Sequence, residues 1–227
     1  MLKAENITKA FHNKSYAIEI LNDISFSISK GEWVSIVGPS GTGKSTFLNI
    51  MSGLLQPDSG SVFFDKLNIY KITEKERSNL RRKHIGFVFQ DFKLLPYYSV
   101  LDNVIMPLHY EPKHKHSELQ KRARRILKMV GVPESLYSRL PQGLSAGEKQ
   151  RAAIARALIA EPDVLICDEP TGNLDRKNRN QIIDLFSQLK EQGKTIILVT
   201  HDLEAANHGD KVYQLINGTL SPNEVKQ

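Results

Sequence analysis

Two groups of residues in this 227-residue sequence have the side chains and spacing for phosphate chemistry. Gly38-Pro39-Ser40-Gly41-Thr42-Gly43-Lys44-Ser45, continued by Thr46, fits G-x-x-x-x-G-K-[ST]. Glycines let the backbone turn its N–H groups inward around phosphate oxygens, Lys44 neutralises the β/γ-phosphates, and the Ser45 hydroxyl is suited to ligate Mg²⁺. The loop lies between an apolar strand pattern, Trp33 to Val37, and the run Phe47 to Met51, which is the context the motif requires. A glycine-rich turn with no ligand is the plainer alternative, and it does not need both flanks. The second group, Asp168 and Glu169, follows the apolar run Val164 to Cys167. An acid at the end of a buried strand is costly to place. Asp168 suits Mg²⁺ coordination through water, and Glu169 suits polarising an attacking water as general base. Two acids that merely end a strand before Pro170 are the alternative, outweighed by the phosphate loop.

These groups need a scaffold. Ile24 to Ser29 alternates apolar and polar, Lys30-Gly31 turns the chain into Trp33 to Val37, and an antiparallel sheet is expected at the start. Val164 to Cys167 and Thr195 to Val199 are continuous apolar runs, as for parallel strands covered on both faces. From Lys44 to Asp168 the chain is far longer than a strand-helix-strand unit uses, so something is inserted. Helices fill the gap. Ser117 with Gln120 fits a capping box before the stripe Leu119, Ala123, Ile126, Leu127 and Val130, which should stop at Gly131. Ser145 with Glu148 fits a second box. Ile182, Leu185, Phe186 and Leu189 mark a helix ending near Gly193, and Asn217-Gly218 signals a hairpin. The expectation is one α/β domain over 1–227, with a helical subdomain at about 91–160.

The 31 Lys plus Arg against 25 Asp plus Glu leave +6, which by itself allows nucleotide, nucleic acid or acidic membrane as partner. One cysteine, Cys167, permits neither an internal disulfide nor a Cys-based zinc site. With no apolar start and no run of ~18–20 apolar residues, the chain is expected to be neither secreted nor membrane-spanning. His114 and His116 stand beside Lys113 and Lys115, which favours a solvated loop over a metal tract.

Leu144-Ser145-Ala146-Gly147-Glu148-Lys149-Gln150-Arg151, followed by Ala152 to Leu158, resembles the signature of the ATP-binding cassette (ABC) ATPases, usually written LSGGQ. With the phosphate loop before it and Asp168-Glu169 after it, the resemblance covers almost the whole chain. It implies a P-loop NTPase fold with a RecA-like parallel-sheet core, an N-terminal antiparallel β subdomain and an inserted α-helical subdomain, with ATP and Mg²⁺ as ligands. It implies that Phe11 stacks on adenine, that Gln90 senses Mg²⁺ and water, that Asn173-Leu174-Asp175 is the D-loop, and that His201 contacts the γ-phosphate. Ser145 and Gly147 would touch ATP held by a second copy, giving a head-to-tail homodimer around two ATP molecules. Ala146 for glycine and Glu148 for glutamine depart from the pattern, adding a Cβ and a negative charge near that phosphate.

Asp91 to Val104 is rich in large apolar side chains, so part is core and any exposed remainder suits a partner. Leu94-Leu95-Pro96 and Thr171-Gly172-Asn173-Leu174-Asp175 resemble the subfamily of macrolide exporters, lipoprotein-release systems and antimicrobial-peptide resistance transporters. That implies a separate integral membrane permease and a peripheral place on the cytoplasmic face of the membrane. A regulatory cassette of the cell-division type is the alternative. Nucleic acid is not expected, because the DNA-repair relatives carry long coiled coils or zinc insertions that do not fit in this length. The basic residues Arg77, Arg81, Arg82, Lys83 and the Lys121 to Lys128 face read as solvated surface able to sit near anionic lipid.

Overall fold

The computed structural model describes residues 1–13, 16–109 and 115–223. Leu2–Asn13 (β1) and Tyr16–Ile28 (β2) pair antiparallel, and the chain then crosses at Lys30-Gly31 into Trp33–Val37 (β3) of a different sheet. The turn expected to continue an antiparallel sheet is thus a crossover. All five residues of β3 are buried, so it needs cover on both faces, which a hairpin partner would not supply. After Lys44–Met51 (α1) come Ser59–Phe64 (β4) and Leu67–Asn68 (β5), which complete a four-stranded antiparallel sheet in the order β2-β1-β4-β5.

Glu74–His84 (α2), opened by a Thr73/Glu76 capping box, precedes Ile85–Val88 (β6). Val100–His109 (α3), His116–Met129 (α4) and Ala146–Leu158 (α5) follow before the chain returns in Val164–Asp168 (β7). Arg176–Glu191 (α6), Thr195–Thr200 (β8), Leu203–Ala206 (α7), Lys211–Ile216 (β9) and Thr219–Pro222 (β10) finish it. The second sheet runs β10-β9-β3-β8-β7-β6, parallel except for the β9/β10 hairpin. Asn217 and Gly218 turn that hairpin at φ 47° and 75°, as the Asn-Gly pair predicts.

Alternate residues of the central strands enter two separate cores. Val34, Ile36, Val164, Ile166, Ile197 and Val199 pack with α1 and the antiparallel sheet, whereas Trp33, Leu165, Cys167, Ile196 and Leu198 pack with the side chains of α3 to α6. Two-sided burial is the physical source of the continuous apolar runs. No described helix is long and apolar enough to cross a membrane.

Two local expectations change. The Ser117/Gln120 capping box does not form: α4 begins at His116 after Lys115, so Ser117 is already inside the first turn, and Gln120 Nε2 lies 3.1 Å from His116 Nε2. Lys113 and His114 lie outside the described residues. The Arg77–Lys83 cluster is not simply solvated surface, since Arg77 and Arg81 both pair with Glu74 and Arg81 also donates to the Gly53 carbonyl at 2.7 Å. On α4, Arg122 and Arg125 share Glu161, and Arg124 pairs with Glu134. These pairs cap and brace helices, so the charges are already partly compensated. In the stretch after Gln90, Val100, Leu101 and Val104 are core, while Leu95, Tyr97 and Tyr98 stay exposed.

Candidate active site

β3 delivers the phosphate loop and α1 carries it away, so a strand end and a helix N-terminus face one space. Gly43 caps α1 at φ 96°, and a Cβ there would lie 2.6 Å from Ile20 Cγ2 of β2. Only glycine meets both demands. The Lys44 ammonium is almost buried and donates to the Gly38 and Pro39 carbonyls, both at 2.8 Å. The Ser45 hydroxyl lies near enough to Asp168, which ends β7 beside the loop, to act on its carboxyl. Burial pushes the Asp168 carboxyl above its ordinary range, against the downward pull of the Ser45 hydroxyl and the Lys44 charge. Asp168 Oδ1 is buried with no hydrogen-bond partner among the described residues. A hydroxyl and an unsatisfied carboxylate oxygen form a hard-oxygen pair that fits Mg²⁺. The described residues hold no cluster of three or more His, Cys, Asp or Glu able to bind a metal by themselves.

Glu169, the next residue, is nearly buried and adopts a left-handed backbone at φ 46°. Such a conformation costs a non-glycine residue about 1–2 kcal/mol. It is held by two bonds, from the Glu169 N–H to the Val199 carbonyl at 2.9 Å and from the Gly172 N–H to the Glu169 carbonyl at 3.2 Å. The turn aims its carboxylate at His201, which follows β8: Oε2 lies 2.8 Å from Nδ1 and 3.3 Å from the His201 N–H. A carboxylate can only accept, so Nδ1 carries the proton in this pair. Gln90 is exposed just beyond β6, and its carbonyl accepts from Asn173 Nδ2 at 3.2 Å. Phe11, on β1, is 47% exposed with the Lys9 ammonium 5.8 Å from its ring centre. β1 pairs with β2, the strand against which Gly43 packs, so the aromatic ring and the loop share one support.

The family model described as ABC transporter matches residues 21–172, more than half of the chain. The chain belongs to the ABC transporter family. An uncharacterized ABC transporter ATP-binding protein of Methanocaldococcus jannaschii, MJ0796, is 40% identical over 227 residues, covering 99% of this chain and 97% of that one. The lipoprotein-releasing system ATP-binding protein LolD of Acinetobacter baylyi is 41% identical over 219 residues, covering 96% of each. A solved dimeric post-hydrolysis state of the MJ0796 cassette bound to ADP and Pi superposes with a TM-score of 0.93 at 38% identity, covering all of both chains. The structure of cbiO1 from Clostridium perfringens, part of the ABC transporter complex cbiONQ, gives 0.83 at 35% identity, covering 97% of this chain and 86% of that one.

The signature of this ABC ATPase stands apart from the phosphate loop, at the start of α5. Ser145 caps the helix, its hydroxyl accepting from the Glu148 N–H at 3.3 Å, while the Glu148 carboxylate accepts from the Ser145 N–H at 2.7 Å and from its hydroxyl at 2.9 Å. Ala146 is exposed and Gly147 buried against Asn178 of α6. Asp175 caps α6, accepting from the Asn178 N–H at 2.9 Å and from its side-chain amide at 2.6 Å; these bonds hold its carboxyl below the usual range. Sequence reasoning missed two neighbours. Asn178 joins the cassette's signature to the D-loop, and Arg179 pairs with Asp202 at 2.7 Å, the residue after His201. The Asp-x-x-Asn spacing after Leu174 was the available sign of the first. Nothing local marks the second, which depends on the fold bringing α6 to α7.

Proposed function

We propose that this cassette is the ATP-binding and ATP-hydrolysing subunit of an exporter of the peptide, lipoprotein or drug type, working as a head-to-tail dimer on a separate membrane permease. The observation that carries the reading is the Glu169–His201 pair, 2.8 Å apart beside the Ser45–Asp168 pair. Support for the dimer comes from the dimeric MJ0796 cassettes, and support for the export class from the LolD relatives.

In this reading the phosphate-loop residues Gly38 to Thr46 and Lys44 hold the β- and γ-phosphates, and Phe11 stacks on the base. Ser45, Asp168 and Gln90 would hold Mg²⁺, whose charge neutralises the phosphate oxygens. Glu169 draws the proton from the attacking water, its carboxylate oriented by His201. Ser145, Gly147 and Asp175 of one protomer complete the site of the other, so closure of the dimer and assembly of the site are one event.

Glu169→Gln tests the chemistry. The variant should bind nucleotide normally, accumulate as an ATP-bound dimer and lose turnover by ~10²–10⁴, the usual worth of a general base. Hydrolysis near the wild-type rate would remove Glu169 from that role. Purification of the tagged chain from native membranes tests the partner. Recovery of a permease with a large extracytoplasmic part supports export, a cell-division partner would make it a regulatory cassette, and soluble partners alone would overturn the membrane reading.

A further inference from the structure

The segment leaving Gln90 holds two consecutive non-glycine residues in the left-handed region, Phe92 at φ 61° and Lys93 at φ 47°. The Phe92 N–H donates to the Phe89 carbonyl at 3.2 Å and the Lys93 N–H to the Asp91 carbonyl at 2.6 Å, so the chain doubles back within a few residues of Gln90. A Cβ crowds the backbone in this region, and two such residues in a row persist only where the surroundings impose them. The imposing group is Arg156 of α5. Its guanidinium donates from Nη2 to the Phe92 carbonyl at 2.7 Å and from Nη1 to the Lys93 carbonyl. A planar fork can hold two successive carbonyls, whereas a lysine ammonium is a single point on a flexible stem.

Both ends of the segment are therefore tied. At its start the Gln90 carbonyl accepts from Asn173, which follows Asp168 and Glu169 along the chain; at its end Arg156 grips Phe92 and Lys93. Arg156 is itself well seated. The carbonyl of its neighbour Ala157 stands 2.6 Å from where a Cβ on Gly86 of β6 would be, so this end of α5 rests directly on the strand that delivers Gln90.

We propose that Arg156 is a positioning residue for Gln90, holding the left-handed turn in the conformation that fixes Gln90 beside the Asp168–Glu169 pair. The proposal rests on the ATPase reading of the site. Its test separates the clamp from the chemistry by using two readouts on the full-length chain. Arg156→Lys keeps the charge and removes the fork. Phe92→Gly with Lys93→Gly makes the left-handed turn acceptable without a clamp.

Hydrogen exchange over residues 89–95, read by mass spectrometry, reports the turn, and steady-state ATP hydrolysis reports the reaction. For Arg156→Lys we expect about tenfold faster exchange there and about tenfold lower kcat, with KM for ATP within about twofold. Adding the two glycines should restore most of the lost kcat. Unchanged exchange would overturn the clamp. Faster exchange with unchanged kcat would overturn its role in the reaction. A kcat loss that the glycines leave in place, together with a lowered melting temperature, would assign Arg156 to helix packing and overturn the proposal. A wild-type chain with no ATP hydrolysis would sink the ATPase reading and the positioning role with it, while the exchange arm still reports whether the clamp exists.

Discussion

Gly147→Ala is the substitution whose outcome follows most directly from the geometry. A Cβ at Gly147 would lie 2.6 Å from Asn178 Oδ1 and 2.8 Å from its Cγ, closer than real contacts allow. Asn178 cannot simply swing aside, because Asp175 holds both its N–H and its side-chain amide. Overpacking a fitted contact costs about 1–3 kcal/mol. Alanine regains helix propensity, worth up to about 1 kcal/mol in a helix interior and less in the first turn where Gly147 stands. The net expectation is a loss of about 0.5–2.5 kcal/mol, or a melting point lowered by roughly 2–8 °C for a chain of this length. In an Asn178→Ala background the obstacle is gone and only the propensity gain remains, so the same change should raise the melting point by about 1–2 °C. The assay is thermal unfolding of the wild type, both single variants and the double variant, and the decisive quantity is the reversal of sign between backgrounds. If Gly147→Ala shifts the melting point equally in both, Asn178 moves out of the way freely. Glycine is then not required by this contact.

Other substitutions separate stability from nucleotide chemistry. Ser145→Ala should lose about 1 kcal/mol through the missing cap, whereas Ser145→Asp should keep the melting point yet abolish ATP-dependent dimerisation seen by gel filtration, since it sets a carboxylate against phosphate. Asn103 is fully buried, donating to the Leu95, Tyr98 and Ser99 carbonyls and accepting the Leu95 N–H at 2.7 Å. Asn103→Ala strands those groups and should cost about 2–3 kcal/mol, read from the urea midpoint. Burial raises the Glu32 and Asp210 carboxyls, but bonds from Lys211 and the Ser29 amide to Glu32, and from Lys190 and the Trp33 amide to Asp210, outweigh it and leave both below their ordinary values. A depressed folded pKa stabilises above the ordinary carboxylate range and is lost as pH falls through the lower folded value. Glu32→Gln should therefore melt below the wild type at pH 7 and converge with it once the pH has fallen through the lowered folded value.

Legibility followed the range of each interaction. The phosphate loop, the Ser145/Glu148 cap and the Asn217-Gly218 hairpin are encoded within a few residues, and all were readable. The parallel strands were readable because two-sided burial leaves an unbroken apolar run. The crossover at Lys30-Gly31 was not, since a turn signal says that the chain bends and not which sheet it joins. α2 escaped because its only buried residue is Leu80, so it has no apolar stripe to read. The Glu169–His201 contact was not expected: the two residues are brought together by the pairing of β7 with β8, which neither residue's surroundings in sequence announce. Arg156 and Asn178 are the same case, side chains whose meaning lies in a segment far along the chain.

α5 is supported near both ends, like a beam on two piers and unlike a cantilever. At Ala157 the support is backbone against the Gly86 strand and can hardly yield; at Gly147 it is a contact with the Asn178 side chain, tethered by Asp175 but still more yielding than backbone. Any swing of the helix must turn about the first pier and be taken up at the second. The span is ten residues, roughly 15 Å at 1.5 Å each, so a swing of about 10° carries Ser145 roughly 3 Å. That is the width of one hydrogen bond, enough to make or break a contact across a dimer while the far end of the helix stays at rest.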